Sequence, residues 1–151
     1  MSFFNKFSTI IFIVATSLLM SLAPIANADD GYKMIIQISS SDENSHRRTL
    51  KQVGWIMDEF KFEELNDHVI LEVVAIGPAF SILAKEGKFA KSVTKLMKRG
   101  VIFTADDSIQ KMMQMHGLPD DLVDGVQHVK VGPAHIVKRQ MQGYKYLALF
   151  F

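Results

Sequence analysis

The 151 residues contain no cysteine, so thiolate chemistry is excluded for this chain and any reactive group must be a carboxylate, hydroxyl, imidazole or thioether. Asp106 and Asp107 follow the apolar run Val101–Ala105 and precede a helical pattern. A carboxylate pair at the carboxyl end of a strand can bind a ligand or move a proton. The same pair can instead be a helix N-cap and a first-turn acid, which accounts for both residues without a ligand and is worth about 1 kcal/mol. Ser39, Ser40 and Ser41 also lie between a strand and a helix. Their hydroxyls and backbone N–H groups can hold an anion, or the segment can be a solvated loop with a capping serine. Gly132-Pro133-Ala134-His135 is a third such turn, with His135 either a donor to an anion or a first-turn surface residue.

Met112-Met113-Gln114-Met115-His116 is the one cluster with metal-like spacing. Met112 and His116 stand at i, i+4, and Met113 and His116 at i, i+3, so each pair shares a helix face. Thioethers with an imidazole suit Cu(I). Methionines at this spacing equally suit packing inward or at an oligomer contact. His46, His68 and His128 have no ligand spacing and read as surface or edge residues. No glycine-rich phosphate loop is present, and no cofactor is predicted. A Ser-His-Asp triad is defined by geometry and is not readable from the chain order.

The elements that would position these groups are organised around His68–Pro78, HVILEVVAIGP. Its β-branched apolar run, interrupted by Glu72, fits a strand buried on both faces. Gly77-Pro78 stops it, and Pro78 suits the first turn of a helix. Tyr32–Ile38 reads as an earlier strand, followed by a helix over His46–Lys61. That helix carries an apolar stripe of Leu50, Val53, Met57 and Phe60, widened by Trp55 and Ile56. Further helices are predicted over Ala79–Glu86, Phe89–Arg99, Ile109–His116 and Ala134–Gln142, and further strands over Val101–Ala105, Val126–Val131 and Tyr144–Phe150. Lys88, Lys91, Lys95, Lys98 and Arg99 read as the solvated face of one helix. This β-α-β-α-α-β-α-β-α-β order predicts a three-layer α/β/α sandwich with a mainly parallel five-stranded sheet.

Residues 1–28 read as a signal peptide, with Lys6 in the n-region, an apolar core over Ile10–Leu22 and an Ala26-Asn27-Ala28 cleavage site. An uncleaved anchor is the weaker alternative, because the apolar core is short and holds Thr16, Ser17 and Ser21. The leader predicts export, with the periplasm as destination, and residues 29–151 as one α/β domain. Of the 17 Lys and Arg residues only Lys6 falls in the leader, so the remainder is balanced by 16 Asp and Glu. This balance argues against a nucleic-acid surface.

The domain resembles the DsrE/DsrF-like family, in particular its small exported single-domain members. The resemblance rests on YKMIIQISSSD, LEVVAIGPAFSIL, GVIFTADDSIQKM and LVDGVQHVKVGPAHIVKRQMQGYKYL, in this order and spacing. It implies the same three-layer fold and homo-oligomers, often trimers or hexamers. It also implies sulfur carried as a persulfide on a cysteine just after the third strand, where this chain has Asp106. A carboxylate cannot take up sulfane sulfur as a thiolate does. The expectation is therefore an exported, oligomeric binding or interaction protein without sulfur transfer. Two alternatives remain: an enzyme with a carboxylate-centred pocket using Asp106 with Ser39 or His135, and a Cu(I)-binding protein using Met112, Met113 and His116.

Overall fold

The computed structural model describes residues 31–62, 69–115 and 120–149. The predicted leader, His68 and His116 lie outside them. Five strands form one sheet: β1 (Tyr32–Ile38), β2 (Val69–Ala75), β3 (Ile102–Asp106), β4 (Gln127–Val129) and β5 (Lys145–Leu147). The strand order is β4-β3-β2-β1-β5, and every neighbouring pair runs parallel. Four α-helices connect them: α1 (Glu43–Phe62), α2 (Ala90–Met97), α3 (Asp107–Met115) and α4 (Gly132–Met141). The α/β class and the predominantly parallel sheet read from the sequence are those of the structure.

The two faces of the sheet differ in chemistry. Ile36, Ile38, Leu71, Val73, Ala75, Phe103 and Ala105 point to one face, where they meet Leu50, Val53 and Met57 of α1 and Val93 and Leu96 of α2 in the main core. Ile109 and Met113 of α3 pack against the same core. Phe103 is fully buried there, and truncating such a side chain to alanine costs about 3–5 kcal/mol. The opposite face is covered by α4 through a small cluster of Ile35, Val74, Ile136 and Tyr144. The return from β4, at one edge, to β5, beyond β1, therefore runs through α4 on the far face.

Several expectations are corrected. The helix predicted over 79–86 is a 3-10 helix at Gly77–Leu83. Its buried residues pair as Ala79 with Ile82 and Phe80 with Leu83, a three-residue repeat that suits a 3-10 helix. Trp55 does not widen the apolar stripe of α1, because it is 57% exposed. At 3.6 residues per turn it lies roughly 200° around the helix from Val53. The strands expected over 126–131 and 144–150 are shorter, at Gln127–Val129 and Lys145–Leu147.

His46 is not a surface residue: it is buried at 2% exposure. Its Nε2–H donates to the Ser40 carbonyl at 2.6 Å, and its ring meets Phe89 edge-on at 5.5 Å. With its polar edge satisfied, the imidazole can be buried at low cost. The helix that follows starts earlier than predicted, because the cap is Asp42 and not a serine. The Ser45 backbone N–H donates to Asp42 Oδ2 at 2.7 Å. That bond, the largest influence on the group, holds the Asp42 carboxyl below the ordinary value of 3.8.

A carboxyl whose pKa is lower folded than unfolded stabilises the fold fully above its unfolded value. The contribution is lost as pH falls through the folded value. Asp42→Ala should therefore lower the melting temperature at neutral pH, and the gap from the parent protein should close below about pH 4. Paired thermal melts from pH 7 to pH 2 followed by circular dichroism would check this. A gap that persists unchanged at pH 2 would contradict it.

Candidate functional site

The carboxyl edge of a parallel sheet is where ligands bind, at the point where neighbouring strands send their connections to opposite faces. Here that point lies between β3 and β4. β3 runs into α3, which packs on the main core, whereas β4 runs into α4 on the other face. Asp106, the last residue of β3, sits at this junction and is 3% exposed. The backbone N–H and hydroxyl of Ser108 donate to its Oδ1 at 3.0 and 2.6 Å. The backbone N–H of Gly132, at the start of α4, donates to its Oδ2 at 3.0 Å. Asp106 thus caps α3 and also occupies the positive end of α4 with a carboxylate belonging to the chain itself.

Gly132 is required at this contact. A Cβ there would lie 2.9 Å from Ile76 Cγ1 and 3.0 Å from Asp106 Oδ2, too close for any other residue without a shift. The missing side chain lets the helix terminus approach the end of β3 directly. Beside it, Asp107 Oδ1 meets His128 Nδ1 at 2.9 Å, joining α3 to β4. Both partners are partly exposed, and a pair of this kind contributes about 0–1 kcal/mol.

A second polar centre lies beneath α4 and was not anticipated. Glu72, the one acid in the apolar run of β2, is 0% exposed. The Thr104 hydroxyl and His135 Nε2–H both donate to its Oε1 at 2.6 Å. Arg139 Nε–H donates to Oε2 at 2.7 Å. The Arg139 guanidinium also lies 5.0 Å from the Tyr144 ring centroid, over its face, and bonds Gln142. His135 and Arg139 stand at i, i+4 on either side of Ile136, so one face of α4 presents both donors to the sheet. His135 does donate to an anion, but that anion is Glu72 and not a solute.

Of the predicted ligand-binding residues, the structure joins Asp106 to Gly132 and Asp107 to His128. His135 belongs to the Glu72 centre. Ser40 bonds within the chain, its hydroxyl accepting the Asp42 N–H at 3.0 Å and its carbonyl accepting from His46, and Ser39 is exposed. Met112 and Met113 face different surroundings: Met112 is 45% exposed, whereas Met113 packs against the core. Among the described residues no group of three or more His, Cys, Asp or Glu is placed to hold a metal ion. The signal for the missed centre is a lone acid in a strand buried on both faces, which demands partners.

The all-parallel sheet with helices on both faces has neighbours among solved structures, and these support a DsrE-like fold. Among solved structures the chain is similar to MTH1491, a protein of unknown function from Methanobacterium thermoautotrophicum. The TM-score is 0.66 and the identity 28%, over 78% of this chain and 99% of that one. It is also similar to YchN of E. coli, with a TM-score of 0.58 and 14% identity over the same shares of each chain, a likeness of fold alone. No protein-family model matches the sequence, and no curated protein sequence does.

Removing one member of a buried, paired charge centre leaves the others uncompensated. Glu72→Ala should therefore destabilise the protein by about 3–5 kcal/mol. Replacing Glu72, His135 and Arg139 together by apolar residues of similar volume should cost far less, because no orphaned charge remains. Urea denaturation of both variants would decide the point. Equal losses for the two would show that the centre stabilises through shape and not through charge pairing.

Proposed function

We propose that this chain is an exported, homo-oligomeric DsrE-like protein that acts by binding and does not carry sulfur. The observation that carries this reading is Asp106. The family resemblance places a sulfur-bearing cysteine at that position, whereas this chain places a carboxylate there and has no cysteine elsewhere. Both Asp106 oxygens accept hydrogen bonds from Ser108 and Gly132, an arrangement that serves the fold and puts no thiol at the β3 end.

Oligomer formation is supported by apolar side chains left on the α4 face of the sheet. Val137 is 56% exposed, Met141 84% and Tyr146 44%. Val137 and Met141 stand at i, i+4 and form a stripe that a second subunit would cover. The resemblance favours a trimer or hexamer. Export is supported by the leader pattern of Lys6, Ile10–Leu22 and Ala26-Asn27-Ala28.

Incubation with a persulfide donor, followed by intact-mass measurement, should give no stable added sulfur. Stoichiometric, donor-dependent loading would overturn the proposal. Native mass spectrometry should show a trimer or hexamer, and Met141→Glu with Val137→Glu should shift it toward monomer. A parent protein that is monomeric at micromolar concentration would remove the oligomeric part of the reading.

A further inference from the structure

A cavity of about 600 Å³ lies between α1 and α2, on the face of the molecule opposite α4. On α1 it is lined by Arg47, Leu50, Lys51, Gly54, Trp55 and Asp58, which recur at helical spacing over three turns. On α2 and the turns at its two ends, Lys88, Phe89, Ser92, Lys95, Leu96 and Arg99 recur over the same length. The result is a trough roughly 16 Å long. Its floor is apolar, from Leu50, Phe89 and Leu96, and its rims are cationic.

Three features of this trough are unexplained by the fold. The first is charge: five cations line it against one carboxylate, Asp58. Lys88 is paired with Glu43 and Arg99 with Asp58, at 2.6 Å for the latter, yet the rims still carry an excess of positive charge. The second is Trp55, the only tryptophan in the sequence, which is 57% exposed with Lys51 Nζ 4.7 Å from its ring centroid. The third is Gly54. Glycine is a poor residue for a helix interior. A Cβ at this position would meet Leu96 Cδ2 and Arg99 Nη1 at 3.9 Å, an ordinary contact. The packing of α1 on α2 therefore has room for alanine, and what the glycine provides is depth in the trough.

We infer that the α1–α2 trough is a docking site for an acidic amphipathic helix of a partner protein. An apolar floor with two cationic rims matches a helix that carries one apolar stripe flanked by Glu or Asp. The length accommodates about eleven helical residues. Trp55 and the aliphatic part of Lys51 would close over the apolar stripe, as aromatic and amphipathic side chains do at interfaces. A flat anionic lipid surface would leave the floor and the Gly54 depth unfilled. This inference rests on the reading of the protein as a binding module and names its site and partner chemistry.

The test is selection of a displayed library of random 14-residue peptides on the purified protein, followed by fluorescence titration of the enriched peptides. Trp55 is the sole indole, so its emission reports the trough directly. The enriched peptides should be acidic with apolar residues at i, i+3, i+4 and i+7, and should shift Trp55 emission to shorter wavelength on binding. Lys51→Glu combined with Lys95→Glu should weaken binding about tenfold or more. Gly54→Leu should weaken it while leaving the far-ultraviolet circular dichroism unchanged, whereas Lys138→Glu on α4 should have no effect.

Enrichment without acidic bias, equal sensitivity to Lys138→Glu, or an unmoved Trp55 emission would overturn the site. So would tighter binding to phosphatidylglycerol vesicles than to any peptide, or loss of the native oligomer in the Lys51→Glu, Lys95→Glu variant. Failure here with no sulfur uptake would remove the trough alone, whereas sulfur uptake would remove the binding-module reading itself.

Discussion

A single carboxylate with no contact to solvent governs how this molecule is assembled. Glu72 sits on β2, the middle strand of the five, with strands on both sides and helices above and below. Left alone, an ionised carboxylate there would cost far more than any one core contact returns. Thr104 supplies one donor from the neighbouring strand, and α4 supplies two more through His135 and Arg139. The apolar cluster under α4 is small, so the position and rotation of that helix follow from these donors more than from packing. The main core on the other face works in the opposite way, through the many nondirectional contacts of buried Leu, Ile, Val and Phe.

Asp106 is the second fastening of the same helix, and it acts at the terminus where Glu72 acts along the flank. The first turn of a helix leaves N–H groups without internal partners and attracts anions. In this chain one of those N–H groups, at Gly132, is taken by Asp106. The carboxylate joins the end of β3, the cap of α3 and the start of α4, which are the three segments that meet at the topological switch. A position well suited to holding a reactive group is thereby given to holding the scaffold.

Much of the architecture was legible because it is written in local pattern. The apolar run of β2, the 3-4 spacing of Leu50, Val53 and Met57, and the Gly-Pro pairs after β2 and β4 each speak through neighbours a few residues apart. The polar centres were less legible because their partners are far apart in the chain. His135 and Arg139 on α4 look like ordinary exposed residues until Glu72, more than sixty positions earlier, is placed beneath them. His46 was misread for the same reason: its burial depends on the Ser40 carbonyl and the Phe89 ring, and periodicity reports neither. Trp55 lies off the apolar stripe because angle around the helix, and not bulk, decides which side a residue faces.

The placement of β5 has a kinetic corollary. β5 pairs with β1 in register, Met34 opposite Lys145, which is the widest sequence separation in the sheet. The other strands add successively on one side of β1, each soon after its neighbour has been made. β1 therefore keeps an open hydrogen-bonding edge until α4 has crossed the sheet and delivered its downstream strand. Contacts of such long range form late and slow the approach to the native state. During that interval a nascent chain exposes a strand edge to other chains, so any helper that shields it would act on the amino-terminal part of the domain.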